Sequence, residues 1–255
     1  MVRIIDLTEP WGPSWQPVIG HPKPLIKSFQ THISHRLETY VIETTMHVGT
    51  HIDAPFHGAP NGCDVASLGW DVLYGTGLII DLSRDVGPWT VITPDLVRSA
   101  LRRMGDEIRR GDRVFFYTGW RRYSRNGSAP DEETFLGRHP GASHELIDWL
   151  AELRVAMVGQ DAPSFDHPAA YLRQARPDLV AEFEQTTGLK ADELFPPHQP
   201  FYGHRRLGEL NIPHVDGLGG EIATVAGRRL TIGVFPWRFV GGEASICRVV
   251  AFVED

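Results

Sequence analysis

An α/β fold with a mixed β-sheet and flanking helices is predicted by three features of the sequence. Short apolar runs recur along the chain as candidate strands, two well-capped amphipathic helices alternate with strands in its middle, and both ends are rich in strand-forming residues. The 255 residues are enough for one large domain with a substantial core. No repeat, low-complexity tract or linker interrupts them, so residues 1–255 are read as a single domain.

Arg3–Leu7 is the first candidate strand, and Tyr40–Thr45 is the second, running directly into Met46 and His47. Leu78–Leu82 follows. Thr93 is a good N-cap and Pro94 a good first helical residue; Val97, Ala100, Leu101 and Met104 then form one apolar stripe, and Gly105 ends it. Val114–Tyr117 is the next strand. Ser143 caps a second helix, with Leu146, Ile147 and Leu150 inward, that leads into a strand at Val155–Val158. Residues 168–210 are less regular: Pro177 opens a short helix through Glu184, and Phe195–Pro200 is loop because its prolines remove donors and fix φ. Leu230–Phe235 and Ile246–Val253 complete the strands.

Composition excludes several functions. The hydrophobic fraction of 42% and charged fraction of 22% are those of an ordinary soluble protein. With a net charge of −7 there is no nucleic-acid footprint, and the basic stretch from Arg98 to Arg113 is broken by Asp106, Glu107 and Asp112, as on a solvated helix face. No apolar run is long enough to span a bilayer, so no membrane partner is expected. Cys63 and Cys247 lack zinc-binding or disulfide-scaffold spacing. Arg3 and Asp6 fall where a signal peptide needs apolar residues, and a cytoplasmic location is expected.

The chemistry is concentrated in the run His47-Val-Gly-Thr-His51-Ile-Asp53-Ala-Pro-Phe-His57. Imidazole and carboxylate ligands suit Zn²⁺, Mn²⁺ or iron, and a three-ligand site leaves a position open for water. Position 48 is Val and 49 is Gly, so this is not the helical HExxH arrangement. Pro55 disfavours helix at Ala54, and the segment reads as a strand end turning into a loop. In an extended stretch His51 and Asp53 share a face, and Gly49 lets the backbone turn so that His47 joins them. The remaining histidines His21, His32, His35, His139, His144 and His167 show no such spacing and read as structural or exposed. Gly217-Leu-Gly-Gly220 lacks a flanking Lys-Ser/Thr and reads as a turn.

The pattern His-x-Gly-Thr-His-x-Asp-x-Pro-x-His resembles the signature of the cyclase-like metal-dependent hydrolase superfamily, which includes bacterial kynurenine formamidase and isatin hydrolase. The resemblance extends over most of the chain, through Ile4–Thr8, Phe116–Trp120, His139–Gly141, Val158–Asp166 and Phe201–Asp216. It implies a swivelling β/β/α-type fold and a homodimer or homotetramer with shared active sites. Residue by residue, it implies His47, His51 and Asp53 as ligands of a first metal, His57 as the catalytic histidine, and His204 with Asp216 as candidates for a second metal. Asp216 stands where the family has Glu. It is about 1.5 Å shorter, which favours one firmly bound Mn²⁺ or Zn²⁺ over two. A longer lead-in at Trp11–Arg36 and the Pro-rich segment Ala175–Gly203 depart from the compact formamidases and are placed to reshape the pocket.

The expected reaction is hydrolysis of a C–N bond in a small amide, a cyclic amide or an aryl-formamide, by metal-activated water with His57 as general acid and base. Ester or lactone hydrolysis uses the same machinery, and a metal-binding homologue without turnover is the alternative of a different class. Thr50 and Asp161 are candidates to orient the imidazoles. Trp120 and Phe56, with Trp11, are candidates for an aromatic wall against the substrate.

Overall fold

The strands in the computed structural model, which describes residues 1–12, 15 and 17–254, are β1 (Val2–Asp6), β2 (Leu25–Gln30), β3 (Thr39–Glu43), β4 (His51–Asp53), β5 (Tyr74–Asp81), β6 (Val91–Ile92), β7 (Arg113–Tyr117), β8 (Gly141–Ala142), β9 (Met157–Gln160), β10 (His214–Asp216), β11 (Arg228–Pro236) and β12 (Ala244–Glu254). Among the described residues, eight of these form one mixed sheet in the order β1-β12-β11-β5-β7-β9-β10-β4. The neighbours β5, β7, β9 and β10 are parallel; β11 and β12 are antiparallel to their neighbours. Strand β4 pairs antiparallel with β10 on one side and with β12 on the other, so the sheet closes into a barrel. Closure satisfies both edges of a strand only three residues long.

Parallel neighbours need crossovers, and the two helices expected from the sequence supply them. Pro94–Met104 joins β5 to β7; the Thr93 hydroxyl accepts from the Leu96 N–H, and Gly105 closes the helix at φ 66°. His144–Glu152 joins β7 to β9, with Ser143 accepting from the Leu146 N–H. Side chains alternate across the strands. Ile79, Phe115, Met157, Val215, Ile232 and Val249 join Ile52 in one core layer. Leu78, Ile80, Val114, Phe116 and Val158 form the other, beneath the two crossover helices. No helix among the described residues is long and apolar enough to cross a membrane.

The structure corrects two readings of the sequence. The strand at residues 39–43 does not lead into the metal motif within the main sheet. It pairs with β2 as a separate two-stranded hairpin whose apolar side chains are exposed. The motif is also not a loop: His51–Asp53 is itself a strand, because each edge finds a partner in β10 or β12. The helix that Pro177 opens runs on to Thr187, where Gly188 at φ 71° ends it. Leu179 and Phe183 of that helix pack on Trp89 and Phe195 in a satellite core.

Ile52 is fully buried and anchors the centre of β4 in the first core layer. Ile52→Ala should destabilise the fold by about 2–4 kcal/mol, measured by denaturant unfolding.

Candidate metal centre

Two short strands with the same pattern lie side by side. His51-Ile-Asp53 pairs antiparallel with His214-Val-Asp216, placing His214 opposite Asp53 and Asp216 opposite His51. Alternation puts all four polar side chains on one face, while Ile52 and Val215 enter the core from the other. Around these strands, three further imidazoles arrive from separate elements. Gly49, at φ 63°, turns the chain so that His47 folds back towards Asp53. His57 lies on the single-turn helix Pro55–Gly58. His204 lies on the helix Tyr202–Glu209, whose backbone passes so close that a Cβ at Gly58 would sit 1.8 Å from the His204 carbonyl oxygen.

Asp53 is the hub. His47 Nδ1 lies 3.0 Å and His51 Nε2 3.5 Å from its Oδ1. His214 Nε2, His204 Nε2 and His57 Nε2 lie 3.2, 3.6 and 3.7 Å from its Oδ2. Five imidazoles thus surround one carboxylate that is 1% exposed. Both Asp53 oxygens, His214 Nε2 and Asp216 Oδ1 are buried without a hydrogen-bond partner. Orphaned buried acceptors and imidazole nitrogens converging on one point fit a divalent cation.

The electrostatics agree. Burial pushes the Asp216 carboxyl well above the usual carboxylate range, and the neighbouring Asp53 charge adds to this. Burial also penalises Asp53, but the imidazoles, His47 first, outweigh it and hold its carboxyl well below that range. Two buried carboxylates facing each other in this way are relieved by a shared positive ion. Burial pulls the His204 imidazole down, but Asp166, 2.6 Å from its Nδ1, overrides that and holds it up at about 9, so a cation bound there has to displace a proton from this ring.

The donor atoms fall into two groups that share Asp53: Asp53, His204, His214 and Asp216, and His47, Asp53 and His57. His51 stands against Asp53 with its Nδ1 on the Gly49 carbonyl at 3.0 Å. The sequence reading had no place for His214, although its spacing from Asp216 repeats that of His51 and Asp53. Asp166 and Glu243 were also without a role. Asp166 sits in a motif already noted; Glu243 carries no local signal and comes near only because β12 pairs with β4.

Other candidates lie elsewhere. The Thr50 hydroxyl accepts from the Glu9 N–H and donates to the Gly217 carbonyl, tying loops together without touching an imidazole. Asp161 accepts from the Thr118 N–H and hydroxyl rather than from a histidine. Trp120 is fully buried with Phe135 and Ala162, its indole N–H on the Phe135 carbonyl. Phe56 is 41% exposed on the helix beside His57. Trp11 packs against Gly49. The wall of the cavity over the cluster is instead made by Val18, His21, Tyr171 and Phe201, and the space is narrow, about 50 Å³. Val18 and His21 come from the segment that leads into the hairpin, and Phe201 from the end of the Pro-rich segment.

Residues 5–167 match the family described as "Putative cyclase". The chain belongs to this family. The cyclase-family chain is 35% identical over 120 residues to a kynurenine formamidase of Erythrobacter litoralis, a match spanning 47% of each chain, so it aligns with about half of that relative's length. It is 27% identical over 168 residues to a kynurenine formamidase of Bordetella avium, covering 65% of this chain and 72% of the other. Its fold is similar to that of an isatin hydrolase solved with the product analogue thioisatinate, with a TM-score of 0.79 and 22% identity over 100% of this chain and 93% of that one.

Because both donor groups run through Asp53, Asp53→Ala should abolish stoichiometric metal binding. His214→Ala should lose the ion held with His204 and Asp216. Elemental analysis of the purified variants checks both.

Proposed function

We propose that this protein is a metal-dependent hydrolase of a small amide, with an aryl-formamide or a cyclic amide as substrate and Mn²⁺ or Zn²⁺ as cofactor. The observation that carries the reading is the buried Asp53 hub, with its orphaned oxygens and converging imidazoles. The relatives named kynurenine formamidase and the structural likeness to an isatin hydrolase support the same class.

Asp53, His47, His51, His204, His214 and Asp216 would hold the cations, with Asp53 common to both donor groups. His214 supplies a donor that offsets the short reach of Asp216, which favours two ions over one. A divalent ion at such a site polarises a carbonyl and lowers the pKa of water. His57 then serves as the acid–base group. Its side chain is 31% exposed, the most open of those that face Asp53, so its Nε2 reaches both the hub and the cavity. From there it takes the proton of the attacking water and returns it to the leaving nitrogen. Phe201 and Tyr171, beside the cluster, would form the wall against a flat substrate.

We also read the chain as a homo-oligomer. The β2–β3 hairpin exposes Phe29, Ile33, Leu37, Tyr40, Val41 and Ile42, and an isolated two-stranded hairpin is marginal in water. A second copy packed around this hairpin accounts for both facts. The protein should run as a dimer or larger by light scattering, and Phe29→Glu with Val41→Glu should shift it towards monomer.

Chelation should abolish turnover of N-formylkynurenine or isatin, and added Mn²⁺ or Zn²⁺ should restore it. His57→Ala should lower kcat by about 10²-fold or more while keeping its metal. Turnover by metal-free protein, confirmed by elemental analysis, would reject the reading. Turnover of esters or lactones with no amide hydrolysis would move it to the alternative substrate class.

A further inference from the structure

One oxygen of Glu243 faces two rings at once. Its Oε2 lies 2.9 Å from His47 Nε2 and 3.4 Å from His57 Nδ1. The opposite nitrogens of both rings face the hub: His47 Nδ1 is 3.0 Å from Asp53 Oδ1, and His57 Nε2 is 3.7 Å from Asp53 Oδ2. The rings themselves lie side by side, with centroids 4.4 Å apart.

A carboxylate oxygen has two lone pairs and only accepts hydrogen bonds. Each ring stands between two carboxylates, so with Asp53 engaged by the cation a neutral imidazole keeps its proton on the nitrogen facing Glu243 and presents a lone pair from the other. We propose that Glu243 is a positioning residue that sets the tautomers of both rings: His47 carries its proton on Nε2 and offers Nδ1 as a ligand, while His57 carries its proton on Nδ1 and offers Nε2 to the proton of the attacking water. One oxygen thereby couples a metal ligand to the acid–base group. The inference rests on the reading of His57 given above.

The main chain that carries this carboxylate is fixed. The Ala54 N–H donates to the Glu243 carbonyl at 2.9 Å, which carries the β4–β12 pairing one residue beyond Asp53. On the preceding turn, the Val65 N–H donates to the Gly242 carbonyl at 3.0 Å and the Gly241 N–H to Asp64 Oδ2 at 2.6 Å. The Glu243 backbone is thus tied to the strand that carries Asp53, and sheet pairing sets where its side chain starts. Other rings of the cluster have outward acceptors of their own, Asp166 for His204 and the Gly49 carbonyl for His51. Among the described residues, Glu243 is the carboxylate other than Asp53 that faces both of these rings. When His57 takes up a proton, the same oxygen faces the imidazolium, so its contribution is greatest as the reaction proceeds rather than in substrate binding.

The test uses full-length protein loaded with Zn²⁺. In wild type, ¹⁵N-histidine NMR should show His57 protonated at Nδ1 and His47 at Nε2. Glu243→Gln, which has nearly the same shape, should lose the Nδ1 preference of His57. With N-formylkynurenine and isatin as probes, its kcat should fall by about 10-fold or more with KM little changed, the usual scale for groups that orient a metal ligand or base. Zinc affinity should weaken in the same variant. In Glu243→Ala, added acetate should restore part of the lost kcat. An unchanged His57 tautomer in Glu243→Gln, or wild-type kcat in Glu243→Ala, overturns the proposal. If His57→Ala keeps wild-type turnover, the acid–base reading fails on its own, and the tautomer measurement still decides whether Glu243 positions the rings.

Discussion

The antiparallel pairing of His51-Ile-Asp53 with His214-Val-Asp216 is the constraint on which the rest of the structure depends. It brings Asp53 beside His214 and Asp216 with no help from a loop. Two buried carboxylates in one place are costly unless paired or bound to a cation. The fold accepts this arrangement because β4 is also the strand that closes the barrel, held on both edges. Closing the sheet and assembling the cluster are therefore one event. A shift of one residue in register would turn Ile52 out of the core and the Asp53 carboxylate into it.

Everything else positions side chains relative to Asp53. Gly49 brings His47 back, Gly58 lets the His204 helix approach, and the Glu9–Thr50–Gly217 contacts hold the loop that precedes β4. Outside the imidazoles lies a shell of acceptors, Asp166, Glu243 and the Gly49 carbonyl, each fixed by secondary structure or a short turn. Rings restrained on their outer nitrogens keep the inner ones aimed at a single point, which is what a metal centre requires. Thr50, read from the sequence as a partner of the imidazoles, thus supports them at one remove, through the backbone.

Several of the residues that touch the cavity, as opposed to the cluster, come from the parts of the chain with the least regular sequence. Val18 and His21 belong to the lead-in, and Phe201 follows the Pro-rich loop at φ 51°. Trp120, by contrast, is held in the core because its large ring and indole N–H are both satisfied there. Residue type alone does not separate an aromatic that lines a cavity from one that fills a core.

How much was legible follows from the range of each signal. Local signals determined the crossover helices, with Thr93, Gly105 and Ser143 at their ends, the main-sheet strands other than β4 and β10, and the cluster of His47, His51, Asp53 and His57, because caps, alternation and ligand spacing all act within about a dozen residues. Tertiary structure alone decided that His51–Asp53 is a strand, since three residues have no periodicity of their own and need partners at both edges. It also decided that residues 39–43 leave the main sheet for an exposed hairpin. His214 stood in between: its spacing from Asp216 repeated the first motif, but nothing local indicated that the two would pair. Glu243 was invisible, a lone glutamate beside two glycines. It reaches His47 and His57 only because sheet pairing joins segments nearly two hundred residues apart in the chain.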